Sequence, residues 1–239
     1  MNRNYSNISY AESPFGTLSE FMSKTFGWMF AGLLVTFAVG IGAVASGLIY
    51  PLINSGLFIL TSIAELVLVF VLTARVQSLQ PSTATGIFFG YAVLNGLNLS
   101  SIFLVYDYRS LILAFLVGAV YFGVMAVYGN VTNRDLTGWG PKLMGGLVAI
   151  IVCALVGGLL SLFGLHFGIM DLLLCAVGLL IFMGLTAYDT QMLKYHYAYF
   201  GGDAAMLHKA SIIGALNLYL DFINIFLYIL RMLGRRNND

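Results

Sequence analysis

The chain has 239 residues, of which 60% are hydrophobic and 9% charged, and its formal net charge is +1. Soluble domains carry about a quarter charged residues, so this composition excludes a chain whose whole surface faces water. The near-neutral charge, without a basic cluster interleaved with aromatic residues, gives no indication of nucleic-acid binding. The composition therefore predicts an all-α integral membrane protein that sits in a lipid bilayer.

Hydropathy divides the chain into a tail and a membrane domain. Residues 1–25 are polar and mixed in charge, and we expect an N-terminal tail there, followed by a single seven-helix transmembrane domain over 26–239. A spanning helix needs about 20 mostly apolar residues. Seven windows meet that requirement: roughly 26–50, 53–74, 83–105, 110–131, 142–165, 170–194 and 210–233. The first window is too long to be the apolar core of a cleaved signal peptide.

The lysines and arginines between the windows predict the orientation of the chain. With seven spans, one side of the membrane receives Arg3, Lys24, Arg75, Arg134, Lys142, Lys194 and Lys209. The other side receives Arg109, Arg231, Arg235 and Arg236. Because cytoplasmic connectors carry more basic residues, the N-terminus is expected in the cytoplasm. The C-terminal arginines oppose this count, and a re-entrant last segment stays open as the alternative.

Two acids interrupt the last two windows. Asp189 ends the sixth apolar run and Asp221 lies inside the seventh, where a charged side chain costs about 2.5–3.5 kcal/mol on insertion scales. Asn217, Asp221, Asn224 and Tyr228 are spaced so that they share one helix face. A polar stripe of this kind is expected to face protein or water rather than lipid.

The two acids predict a site with proton or cation chemistry. If Asp189 and Asp221 lie close together in a low-dielectric environment, they cannot both ionise cheaply and are expected to share a proton. Carboxylate oxygens are also ligands that Ca²⁺ prefers. The alternative is purely structural, an interhelical hydrogen bond with one Asp neutral.

Further polar residues occur in the second and third windows. Glu65 is an isolated acid near the middle of the second window, and Arg75 ends the same window. Arg75 is expected either to reach the headgroups or to contact Asp189. In the third window, Asn95 and Asn98 follow one face and predict interhelical hydrogen bonds or the lining of a cavity.

The sequence contains no motif that indicates catalysis or a resident cofactor. We found no HExxH, GxSxG, Walker-type or GxGxxG pattern. The histidines His166, His196 and His208 are expected at membrane interfaces, and Cys153 and Cys175 as free thiols in apolar segments. We therefore expect no enzyme and no cofactor apart from Ca²⁺ as a bound or transported ion.

Two segments resemble the signature of a known family. Residues 184–191 (GLTAYDTQ) and 213–224 (IGALNLYLDFIN) are similar to the signature of the Bax inhibitor-1 family, and residues 99–103 and 132–136 resemble its bacterial branch. The resemblance implies seven helices with the last one central and surrounded by the other six. It also implies a pH-dependent Ca²⁺ leak governed by Asp189 and Asp221, with Glu65 in the ion pathway and Arg75 as a latch.

These observations lead to one main functional hypothesis. A proton-gated calcium leak channel of a bacterial inner membrane would use the Asp189–Asp221 pair as its sensor, with Glu65, Asn217 and Asn224 along the ion pathway. A non-transporting membrane regulator that binds a partner, such as a membrane protease, is the alternative. A proton-coupled transporter for a small solute is a third hypothesis, which the lack of an internal repeat disfavours.

Overall fold

The computed structural model describes residues 16–76, 78–162 and 168–234, and these residues form helices and connectors without a strand. The helices in chain order are α1 (Leu18–Ala45), α2 (Ile49–Asn54), α3 (Leu57–Arg75), α4 (Pro81–Leu99), α5 (Ile102–Val105), α6 (Tyr108–Val131), α7 (Gly140–Leu162), α8 (Gly168–Phe200) and α9 (Ala204–Leu233). The predicted all-α class is thereby confirmed.

Seven segments are long and apolar enough to cross a membrane within the described ranges, as predicted: α1, α3, α4 continued through α5, α6, α7, α8 and α9. Their outer surfaces are strongly apolar. Leu66 and Phe70 of α3 are 72% and 71% exposed, and Leu155 of α7 is 64% exposed. Such surfaces are unfavourable in water and suit the hydrocarbon of a bilayer.

The first helix begins at Leu18, earlier than the predicted window of 26–50, because a capping box starts it there. The Thr17 hydroxyl accepts a hydrogen bond from the Glu20 backbone N–H over 3.3 Å, and the Glu20 carboxylate accepts one from the Thr17 N–H over 3.1 Å. Phe21, which the prediction placed in the tail, is fully buried. The helix stops before Gly47, whose φ of 74° is easily adopted only by glycine.

The bounds of α8 and α9 also differ from the predicted windows. The eighth helix continues to Phe200 instead of ending near residue 194, and the ninth begins at Ala204 instead of residue 210. Asp203 caps α9, since its Oδ1 accepts hydrogen bonds from the backbone N–H groups of Ala205 and Met206 over 2.9 and 3.0 Å. A cap of this kind starts a helix whatever the hydropathy of its first turns.

The chain divides into two compact units. The first unit contains the described residues up to Phe103 together with Met192–Tyr219. Within it, α4 packs against α1 and α3. The closest backbone approach is at Gly96, where an added Cβ would lie 2.6 Å from the carbonyl oxygen of Thr36.

The second unit contains Leu104–Gln191 and the residues from Leu220 onward. Gly129 of α6 lies directly against the carbonyl oxygen of Ala187 of α8, so no side chain can be placed there. The rings of Phe115 and Phe122 of α6 pack edge-on against Phe222 of α9, with centroid separations of 5.4 and 5.7 Å. Close glycine contacts and aromatic packing thus hold α6, α8 and the end of α9 together.

The last helix is the most buried of the seven. In its most apolar window 67% of the residues are buried, against at most 33% in the other six segments. This burial agrees with a largely protein-facing helix. A position surrounded by all six other helices stays a prediction, as does the division into a tail over 1–25 and a single domain over 26–239.

Candidate functional site

Among the described residues, the most deeply buried acid is Asp221 of α9, which is 3% exposed. Its electrostatic neighbours are the carboxyl of Asp189 and the hydroxyl of Thr186, both from α8. Its Oδ2 atom makes no hydrogen bond. The two acids that the sequence singled out therefore belong to one site within the second unit.

Helix α8 carries buried hydroxyl groups close to Asp189. Thr186 and Thr190 are both fully buried, while Asp189 between them is half-buried. The Thr186 hydroxyl donates to the carbonyl oxygen of Phe182 over 2.8 Å, and the Thr190 Oγ1 atom has no partner. Because residues three and four apart share a helix face, Thr186, Asp189 and Thr190 form one polar patch in an apolar helix.

The Thr186 hydroxyl has two neighbouring acceptors for its single hydrogen. One is the Phe182 carbonyl oxygen, 2.8 Å away, and the other is the carboxyl of Asp221. When the hydrogen goes to Phe182, the lone pairs of Thr186 can accept from a protonated Asp221. When it goes to Asp221, Thr186 is a donor to an ionised carboxyl.

The site contains fewer oxygen ligands than a closed calcium site. Ca²⁺ takes six to eight oxygen ligands, and among the described residues no group of three or more His, Cys, Asp or Glu side chains comes together. Two carboxyls and two hydroxyls can exchange protons. They can also bind transiently to a cation that keeps most of its hydration shell.

A buried amide next to these acids holds the connector between α6 and α7. Gln191 is 6% exposed; its Oε1 accepts from the Leu136 N–H and its Nε2 donates to the Arg134 carbonyl oxygen, both over 2.8 Å. The sequence analysis missed this role, because the partners of Gln191 are more than fifty residues away in the chain. The connector is thus fixed to α8 two residues beyond Asp189.

Glu65 lies in the first unit, half-buried on α3. Its nearest polar neighbours are the side-chain amides of Asn98 and Asn95 on α4. The Oδ1 atom of Asn98 accepts a hydrogen bond from the Thr61 hydroxyl of α3 over 2.6 Å. The predicted interhelical hydrogen bonding of Asn95 and Asn98 is confirmed, since Asn95 also accepts from Tyr219 of α9 over 3.1 Å.

Two buried tyrosines beside Glu65 were not singled out in the sequence. Tyr219 is fully buried, with its hydroxyl 2.6 Å from that of Thr36 on α1. The Nδ2 group of Asn95 donates to the Tyr91 hydroxyl over 3.4 Å. A signal for Tyr91 existed, because it lies one turn before Asn95 on the same face of α4.

The remaining predicted site residues have the following positions. Arg75 is exposed at the end of α3, and Asn217 and Asn224 are half-buried on α9. The Asn224 amide donates to the Leu220 carbonyl oxygen over 2.8 Å, within its own helix. The pathway and latch roles of these three residues stay predictions.

The histidines and cysteines have the following surroundings. His208 Nε2 lies 3.1 Å from the Thr85 hydroxyl, and the Nδ1 atom of His196 makes no hydrogen bond. His166 lies outside the described residues. Cys153 and Cys175 are free thiols, as predicted.

Comparison with known proteins identifies the family. A family model described as "Inhibitor of apoptosis-promoting Bax1" matches residues 18–238. The chain belongs to the Bax inhibitor-1 family. The resemblance carried by residues 184–191 and 213–224 is therefore confirmed, and with its seven apolar helices this family member is a multi-pass membrane protein.

Three bacterial relatives of this Bax inhibitor-1 family protein cover almost all of it. "Inner membrane protein YbhL" of Escherichia coli (strain K12) is 42% identical over 93% of this chain and 94% of its own length. An uncharacterized protein of Deinococcus radiodurans is 39% identical over 91% of both chains. "Uncharacterized membrane protein SpyM3_0260" of Streptococcus pyogenes serotype M3 is 34% identical over 96% and 98%.

Proposed function

We propose that this protein is a pH-sensitive calcium leak channel, with Asp189 and Asp221 as its sensor and gate. The observation that carries this proposal is the placement of Asp221: it is buried at 3% exposure, with Asp189 as its charged neighbour. Two carboxyls in one buried site exchange protons as a unit. A site built in this way responds to pH.

In the closed state the pair holds one proton between its two carboxyls. The protonated form can donate to the Thr186 hydroxyl, whose own hydrogen then goes to the Phe182 carbonyl oxygen. A change in protonation alters the attraction between α8 and α9, which lets the helices separate and opens a path for Ca²⁺. Glu65, Asn217 and Asn224 offer oxygen atoms along that path, and Arg75 acts as a latch that pairs with Asp189.

The proposed location is a bacterial inner membrane, with the N-terminus in the cytoplasm. The name of the Escherichia coli relative supports the membrane assignment, and the distribution of lysine and arginine supports the orientation. We propose no enzymatic activity and no resident cofactor. Protons and calcium ions are the ligands.

The test is reconstitution of the purified chain into liposomes that contain a calcium-sensitive dye. Calcium entry is measured after external Ca²⁺ is added, at a series of pH values, with protein-free liposomes as the control. The proposal predicts entry above the control, with a rate that changes with pH. Entry equal to the control at every pH would reject transport and favour the non-transporting regulator. Cross-linking in native membranes would then identify the partner of that regulator.

A further inference from the structure

A cavity of about 140 Å³ lies in the second unit, where α6 ends and α7 begins beside α8. Helix α6 contributes Met125 and Tyr128 to its lining, the following connector Leu136 and Trp139, and α7 contributes Leu143. Helix α8 supplies the remaining lining residues around Gly184. No charged side chain of the described residues lines this cavity.

The cavity opens to the outside of the chain at the level of the membrane surface. Trp139 and Tyr128, which both line it, are 58% and 40% exposed. Trp139 directly precedes α7 and Tyr128 lies in the last turn of α6, so both lie where spanning segments end. Tyrosine and tryptophan are enriched at this depth of a membrane. Met125 lies six residues before the end of α6, which carries the cavity about 9 Å into the hydrocarbon.

The size and the walls of the cavity limit the kind of ligand. Pockets that hold a whole small molecule measure about 300–1,000 Å³, so about 140 Å³ accommodates only a part of a longer molecule. Uncharged, largely apolar walls that run from the membrane surface into the hydrocarbon suit the upper part of a lipid acyl chain.

The opening of the cavity carries positive charge. Lys142 is exposed in the first turn of α7, with its Nζ atom 6.0 Å from the centre of the Trp139 ring. That turn contains no acid, and the N-terminal end of a helix dipole is itself positive. Arg134 is a second exposed base on the connector. The acid between them, Asp135, accepts a hydrogen bond from the Thr137 backbone N–H over 2.9 Å. The opening therefore favours an anionic group.

We propose that this cavity binds an anionic phospholipid, with the phosphate beside Lys142 and one acyl chain against Met125 and Leu143. A phospholipid joins a negative headgroup to hydrocarbon at the depth where the structure joins basic residues to an apolar cavity. A second copy of this chain fits less well, because in a two-fold pair the same patch meets itself and the basic residues would repel. The site requires no calcium flux, so it can fail or hold independently of the proposed function.

The test is quenching of Trp139 fluorescence by brominated phospholipids in vesicles that contain the full-length protein. The chain has two tryptophans, and Trp28 is replaced by phenylalanine in every protein compared, so that the emission comes from Trp139. Brominated phosphatidylglycerol, which is anionic, is compared with brominated phosphatidylcholine, which carries no net charge. We expect phosphatidylglycerol to bind about fivefold more strongly at Trp139.

Two pairs of variants separate the headgroup from the acyl chain. Lys142→Gln should make the binding of the two lipids about equal, while Arg109→Gln should keep the preference. Arg109 is the matched control, since it is also an exposed cation beside an aromatic ring, with its Cζ atom 5.7 Å from the centre of the Tyr108 ring. Met125→Phe narrows the cavity and should reduce quenching by both lipids. Val124→Phe adds the same ring at an exposed position outside the lining and should not reduce it.

Three results would overturn the proposal. The first is equal quenching by the two lipids when only Trp28 is replaced, a comparison that decides even if Lys142→Gln does not fold. The second is an unchanged preference in Lys142→Gln, or equal quenching in Met125→Phe and Val124→Phe. The third is a Trp139 that neither lipid quenches, which is the result expected if a second copy of the chain covers the cavity.

Discussion

The carboxyl of Asp221 on α9 has the carboxyl of Asp189 on α8 as its charged neighbour, and its Oδ2 atom makes no hydrogen bond. Two neighbouring carboxyls do not stabilise each other as an acid–base pair would, because their charges repel when both are ionised.

Gly129 is expected to be essential for the packing of α6 against α8. A Cβ atom there would overlap the Ala187 carbonyl oxygen, a backbone atom that cannot rotate away. We expect Gly129→Ala to lower the free energy of unfolding by about 1–3 kcal/mol, measured by thermal melting in detergent. Gly123→Ala on the same helix is the control, because a Cβ there has no neighbour within 4 Å. Equal melting temperatures for the two variants would contradict this contact.

Gln191 is expected to hold the connector between α6 and α7 in place. Gln191→Leu leaves the Leu136 N–H without an acceptor, at a cost of about 1–3 kcal/mol, and hydrogen–deuterium exchange at Leu136 should become faster. Gln191→Glu keeps an acceptor for the Leu136 N–H, although it sets a carboxylate oxygen against the Arg134 carbonyl oxygen. Exchange at Leu136 should therefore be slower in Gln191→Glu than in Gln191→Leu, even if both variants are less stable than the wild type. Unchanged exchange at Leu136 in Gln191→Leu would show that another group holds the connector.

The cap of α6 predicts a pH-dependent contribution to stability. The Ser110 backbone N–H donates to Asp107 over 2.8 Å, and this hydrogen bond is the main reason that the pKa of the Asp107 carboxyl lies below its usual value. Because the pKa is lowered in the folded state, the ionised Asp107 carboxyl stabilises the protein at pH values above its ordinary pKa of about 4. This stabilisation is lost as the pH falls through the lower pKa of the folded state.

Melting of Asp107→Asn beside the wild type tests this contribution. Asparagine also caps helices but does not titrate, so the other carboxyls cancel in the difference between the two proteins. We expect the wild type to melt higher near neutral pH, and the difference to shrink below about pH 4. A difference that does not change with pH would mean that the charge of Asp107 contributes nothing.

The seven membrane-spanning segments followed from the sequence, whereas several helix bounds did not. Hydropathy predicted all seven spans, because each requires a long apolar run. It failed where a polar side chain starts a helix: Thr17 with Glu20 begins α1 and Asp203 begins α9. Both caps are visible in the sequence, but an apolar window does not register them.

The site was predicted in part. The spacing of Asp221 and its neighbours on α9 indicated a protein-facing stripe, and the family signature implied the pairing with Asp189. The hydrogen bond between Gln191 and Leu136 joins residues that are 55 positions apart, and the one from Tyr219 to Asn95 joins residues that are 124 positions apart. Contacts at such separations depend on tertiary packing, which no local pattern encodes.

Glycine patterns in the sequence also gave an incomplete account of packing. Residues 86–90 of α4 form a GxxxG pattern, which indicates close helix contact. A Cβ at Gly86 would meet nothing within 4 Å, and one at Gly90 would lie at an ordinary contact distance of 3.8 Å from Leu68. The close approach of α4 to α1 is at Gly96 instead, against the Thr36 carbonyl oxygen at 2.6 Å. Whether a glycine is required at a position therefore depends on how closely the neighbouring helix approaches it.

We propose that the Asp189–Asp221 pair makes calcium flux depend on pH. The most direct measurement is calcium entry into proteoliposomes over a pH series for the wild type, Asp189→Asn, Asp221→Asn and Asp171→Asn. Asp171 is an exposed acid in the first turn of α8 and serves as the matched control. We predict that the wild type and Asp171→Asn share one pH profile, while both pair variants give a flat one. A wild-type profile in Asp189→Asn and Asp221→Asn would contradict the account.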